Sequence, residues 1–70
     1  MSVINHLREA RRRMGLTQKE VADALKISKK SLSRYERGEM DPRLDVALRL
    51  SEFYGIQMER LYELAAPVSG

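Results

Sequence analysis

Hydrophobic residues recur along this chain three and four positions apart, and no segment shows the alternation of a half-buried strand. Val3, Leu7, Ala10 and Met14 share one face of a first helix, expected from about Ser2 to Met14. Gly15 ends it as a left-handed cap, and Leu16 turns back toward the core. Thr17-Gln18-Lys19-Glu20 is a capping-box sequence: the Thr17 hydroxyl accepts from the Glu20 amide while the Glu20 side chain reaches back. The second helix follows to about Leu25, with Val21, Ala22 and Leu25 inward. Lys26 and Ile27 make the turn, Ser28 caps the next helix, and the third runs to about Arg37 with Leu32 and Tyr35 inward. Beyond Gly38 and a polar loop from Glu39 to Pro42, a fourth helix from about Arg43 to Tyr54 buries Val46, Ala47, Leu50 and Phe53. Gly55 caps it, Ile56 packs behind the cap, and a fifth helix is expected from about Met58 to Ala65. The expected fold class is all-α: a five-helix bundle in which helices 2 and 3 form a helix-turn-helix. One domain over residues 1–66 is expected, with a flexible tail over 67–70.

Composition narrows the function. Seventy residues is near the lower limit for one self-sufficient core. Cysteine is absent and His6 is the single histidine, so neither a disulfide framework nor a metal centre is expected, and no cofactor. No segment approaches the ~20 apolar residues of a membrane span, and the chain does not open on a signal-like apolar run. A cytoplasmic protein without a membrane partner is the expectation. No nucleophile–base pair, carboxylate–histidine cluster or glycine-rich phosphate loop is present, which argues against an enzyme or a small-molecule substrate.

Charge adds a direction. The net charge is only +3, yet residues 1–37 hold ten Lys/Arg against four Asp/Glu, while residues 38–70 hold three against six. One half therefore offers a basic surface to an anionic partner. Within that half, Lys29, Lys30, Ser33 and Arg34 sit at i, i+1, i+4 and i+5, an exposed stripe opposite Leu32 and Tyr35. Lysines in a first turn face the positive end of the helix dipole, an unfavourable placement that an external anion such as phosphate would offset. A helix lying in a DNA major groove uses residues near its N-terminus in this way, with Arg or Lys matching guanine O6 and N7. The plainer reading is a solubilising helical surface. The run Arg11-Arg12-Arg13 is not a patch, because successive helical residues diverge. Arg11 falls on the inward side, and Arg12 and Arg13 are read as solvent charges first and as distant phosphate contacts second.

The span from Arg11 to Leu61 resembles the phage repressor/Cro type of helix-turn-helix protein, the XRE-like regulators. The matching residues are Arg11, Gly15-Leu16-Thr17-Gln18, Glu20-Val21-Ala22, Ile27-Ser28, Ser31-Leu32, Tyr35-Glu36-Arg37-Gly38, Pro42, Leu50 and Tyr54-Gly55-Ile56. The resemblance implies the lambda-repressor-like bundle and sequence-specific binding of double-stranded operator DNA as a dimer, with repression of transcription through a palindromic site. It implies base contacts from Lys29, Lys30 and Arg34, which Ser33 joins by position on the stripe. It also implies phosphate contacts from Gln18, Ser28, Arg37 and Arg43, and an ion pair between Arg11 and Glu36. Lys26 departs from the family's usual turn glycine and is expected to be left-handed. The acidic loop from Glu39 to Asp41 is not expected to touch phosphate. The apolar C-terminal segment is generous for so small a core, and Tyr62, Leu64 and Ala65 are candidates for a homodimer interface. The rival function is an antitoxin or adaptor that uses the same fold mainly to grip a protein partner.

Overall fold

Five fully buried side chains, one from each of five helices, mark the centre of the protein: Leu7, Val21, Leu32, Leu50 and Leu61. Burying a side chain of this size stabilises the fold by about 1.5–3 kcal/mol relative to leaving it in water. The computed structural model describes residues 3–64. In chain order the elements are β1 (Val3–Asn5), α1 (Leu7–Arg13), α2 (Gln18–Leu25), α3 (Lys29–Glu36), α4 (Leu44–Tyr54), α5 (Met58–Leu61) and β2 (Tyr62–Leu64). Ala10, Ala22, Leu25, Tyr35 and Tyr54 complete the core, and Leu16, Ile27, Val46, Phe53 and Ile56 pack around it half-buried. The fold class is all-α, with one short ribbon added.

That ribbon corrects the expected helix limits. The first helix starts at Leu7 and the fifth stops at Leu61, while β1 and β2 pair antiparallel with Asn5 opposite Tyr62 and Val3 opposite Leu64. The His6 amide donates to the Leu61 carbonyl at 2.9 Å and closes the end of the ribbon. Asn5 decides where α1 begins. Its Oδ1 accepts from the Leu7 amide (3.2 Å), and its Nδ2 donates to the Tyr35 carbonyl (3.1 Å), which ties the ribbon to the end of α3. Three residues per strand are too few to show alternation in a sequence, and such a pair depends on the helices beneath it.

A second correction concerns Met14, which is 47% exposed where the periodicity placed it inward. The helix ends before it, Gly15 turns at φ 69°, and the Leu16 amide bonds back to the Arg11 carbonyl at 3.3 Å. Leu16 thereby takes the place on the core that a continuing helix would have given Met14.

The capping box at the start of α2 is complete, with Glu20 N donating to Thr17 Oγ1 at 3.1 Å and Thr17 N to Glu20 Oε1 at 2.9 Å. At the other end Lys26 adopts φ 57°, ψ 42°, the left-handed conformation, and the Ile27 amide reaches back to the Ala22 carbonyl at 3.0 Å. Arg49 of α4 also donates to the Leu25 carbonyl, fastening the turn to the scaffold. A side chain in the left-handed region costs about 1–2 kcal/mol, partly offset in the unfolded chain by the greater freedom of glycine. Lys26→Gly is therefore expected to stabilise the protein by about 0.5–1 kcal/mol in urea unfolding. A loss of stability would show that the Lys26 side chain contributes to the turn.

Candidate nucleic-acid interface

The eight residues of α3 divide cleanly between inside and outside. Leu32, Tyr35 and Glu36 are buried; Lys29, Lys30 and Arg34 are exposed, with Ser33 half-buried beside them. Ser28 starts the helix with extended backbone, its Oγ accepting from the Ser31 amide (3.0 Å) and donating to the Ser31 hydroxyl (2.8 Å). The cap fixes the first turn, and the buried face fixes rotation about the helix axis. The cationic stripe is thus held by a rigid support.

Among the described residues, no carboxylate lies within ion-pair distance of Lys29, Lys30 or Arg34. The same is true of Arg12, Lys26, Arg49 and Arg60, so free charge alone does not pick out the stripe. Its concentration on one capped, rigid helix does.

The residues expected at phosphates are placed differently, each with a partner inside the protein. Arg37 pairs with Glu39 (Nε to Oε2, 3.0 Å), and Arg43, at the N-terminal cap of α4, lies 3.7 Å from Asp45. Both pairs are exposed, and such pairs are worth at most about 1 kcal/mol, so a phosphate can displace them. Ser28 is occupied as the cap. Gln18 Nε2 donates to Glu36 Oε1 at 3.0 Å, which leaves its second N–H free to donate.

Glu36 is the hub of this surface. Its side chain is 0% exposed, yet it receives Arg11 Nε on Oε2 (2.7 Å), Arg11 Nη2 on Oε1 (3.1 Å) and Gln18 on Oε1, with Arg8 Nε 3.7 Å away. Burial by itself would push the carboxyl up. The hydrogen bonds from Arg11 and Gln18 and the charges of Arg11 and Arg8 outweigh it, and the group is held below its usual range. Arg11 spends its remaining nitrogen on the Leu16 carbonyl (3.0 Å), so one side chain joins α1, the turn after it and α3. The hydrogen bond to Glu36 also raises the Arg11 pKa. Neither Asn5 nor the approach of Gln18 and Arg8 to Glu36 is part of the sequence expectation. For Arg8 a signal existed, since it lies three residues before Arg11 and shares its helix face.

A sequence model of the helix-turn-helix family matches residues 7–61. The chain belongs to that family. It is 44% identical over 61 residues to the HTH-type transcriptional regulator ImmR of Bacillus subtilis, covering 87% of this chain and 48% of that protein. It is 33% identical over 55 residues to the cryptic phage CTXphi transcriptional repressor RstR of Vibrio cholerae, covering 79% of this chain and 50% of the repressor. An uncharacterised HTH-type transcriptional regulator of Methanocaldococcus jannaschii, MJ0272, is 31% identical over 58 residues, covering 83% of this chain and 88% of its own length. The chain spans about half the length of the Bacillus and phage relatives. The matched span takes in α1 to α5, and so includes the stripe, its cap and the hub.

Away from α3, Tyr62 borders a groove of about 340 Å³ shared with Asp41, Pro42, Leu44, Ala47 and Met58. Burial pushes its phenol up to about 12, helped by the Asp41 carboxylate and by Tyr35. Leu64 lies in β2 opposite Val3, and Ala65 lies outside the described residues. Among the described residues no helix is long and apolar enough to cross a membrane.

Proposed function

We propose that this helix-turn-helix chain binds double-stranded DNA through the major groove and regulates transcription, acting as a repressor dimer on a palindromic operator. The observation that carries the reading is the stripe of Lys29, Lys30 and Arg34, which among the described residues has no carboxylate in ion-pair distance, on a helix whose other face is buried. In this reading those three side chains and Ser33 read bases. Gln18, Ser28, Arg37 and Arg43 hold phosphates, where they set register and carry no sequence information of their own. The Bacillus and phage relatives, named as a transcriptional regulator and a transcriptional repressor, support the same reading.

A second copy is supported by α4, where Leu44 and Leu48 are 68% and 51% exposed, one turn apart beside the groove of Tyr62. This draws the proposed dimer surface from Tyr62, Leu64 and Ala65 toward the outer face of α4. Two-fold symmetry then requires recognition helices about 34 Å apart, one turn of B-DNA.

Selection of bound duplexes from a random pool tests the whole reading. The expected winners carry an inverted repeat with half-site centres about 10 base pairs apart. Their affinity should fall by ~0.9 log units per phosphate contact for each log unit of salt. A pool that stays random would overturn the regulator reading in favour of the adaptor or antitoxin, whose partner is a protein.

A further inference from the structure

Two guanidinium groups approach Glu36, and one of them is enough to neutralise it. Arg11 meets the carboxylate with two short hydrogen bonds from inside the protein. Arg8 approaches from outside: its side chain is 47% exposed, and its Nε stops 3.7 Å from Oε1, beyond hydrogen-bond range. Among the described residues Arg8 makes no side-chain hydrogen bond, so its fork of N–H donors remains unused. The Oε1 atom it approaches is the one that accepts from Gln18 Nε2 at 3.0 Å. Arg8 Nε and Gln18 Nε2 are therefore less than about 7 Å apart, since 3.0 Å and 3.7 Å to a common atom bound the separation.

The carboxylate also settles how the Gln18 amide is turned. An ionised carboxylate only accepts, so the NH₂ group of Gln18 faces Glu36 and its second hydrogen is left for another acceptor. The local charges are two guanidinium cations against one carboxylate, an excess of one positive charge. The opening beside Arg8 is a cleft of about 500 Å³, also bordered by Arg12 and by Arg13, the latter paired with Glu9 at 3.0 Å.

We propose that Arg8 and Gln18 together hold one backbone phosphate of the bound duplex, with Glu36 and Arg11 as their fixed support. The inference rests on the DNA-binding reading and adds a contact from α1, outside the helix-turn-helix itself. Arg8 brings the charge and a planar fork that matches phosphate oxygens. Gln18 brings a donor whose direction is set by a buried anion. The buried Glu36 orders the site without cancelling it, because Arg11 already balances its charge.

The test is the salt dependence of affinity for the selected duplex and for a scrambled duplex, measured with the full chain. Arg8→Gln should weaken both to the same degree and lower the salt slope by about 0.9, the value of one phosphate. Arg8→Lys should keep the slope. With Gln18→Ala in place, Arg8→Gln should cost a smaller fold-change than it does in the parent protein, as two donors to one phosphate require. An unchanged slope in Arg8→Gln would overturn the proposal. So would fully additive losses, or a weakening that tracks a fall in melting temperature and is not rescued by lysine. If the parent protein binds neither duplex, the DNA-binding reading itself fails, before any variant is measured.

Discussion

Arg11→Met is expected to destabilise the protein by about 3–5 kcal/mol in urea unfolding, because it leaves the Glu36 carboxylate buried without its main partner. A domain of this size has only about 5–10 kcal/mol to lose, so the variant should sit at the edge of folding. Arg8 and Gln18 remain beside the carboxylate and pull the effect toward the lower figure. The double variant Arg11→Met, Glu36→Leu should recover much of the loss, since replacing both members of a buried pair removes the stranded charge along with the attraction. If the single and double variants were equally unstable, the damage would come from packing around Arg11.

The same carboxylate links stability to acid. Its folded pKa lies below the ordinary 4.5, so its contribution is complete above about pH 4.5 and is lost as pH falls through the folded value. Arg11→Met should flatten that acid limb.

The second large effect concerns specificity. Lys30→Ala and Arg34→Ala should each reduce discrimination between the selected operator and a scrambled duplex by about 1–3 kcal/mol, the value of one bidentate base contact. Proposed contacts to different base pairs imply losses that nearly add. Among the described residues neither side chain has an ion pair to lose, so folding stability should hardly move. Competition binding at fixed salt measures the difference. Arg37→Ala and Arg43→Ala, whose proposed contacts are phosphates, should instead weaken both duplexes alike. Full discrimination retained by Lys30→Ala and Arg34→Ala would remove these residues from the base-reading surface.

Much of the bundle is legible along the chain because its information is local. The Thr17–Glu20 capping box, the Ser28 cap and the inward positions of Val21, Leu25, Leu32 and Leu50 each depend on residues within one or two turns, whereas the left-handed Lys26 was implied by the family resemblance. Capping chemistry and 3.6-residue periodicity act over that range. The β1–β2 ribbon was illegible for the opposite reason. It joins Val3–Asn5 to Tyr62–Leu64 across nearly the whole chain, and three residues are too few to carry a pattern. Gly15 marks the helix stop in the sequence, but Met14 still shares the apolar spacing of α1; only the packing shows that Leu16 takes that face and leaves Met14 exposed.

Read alone, the sequence established the all-α class, the order of the five helices and the rotation of α3 that turns Lys29, Lys30 and Arg34 outward, since backbone hydrogen bonding and side-chain period are properties of short segments. Tertiary structure decided what surrounds Glu36: that Arg8, Arg11 and Gln18, from two helices, meet on one carboxylate of a third. It also decided that Asn5 fastens the ribbon to the end of α3. Such meetings depend on how helices pack across the core, and their direction and distance are written in no single stretch of residues.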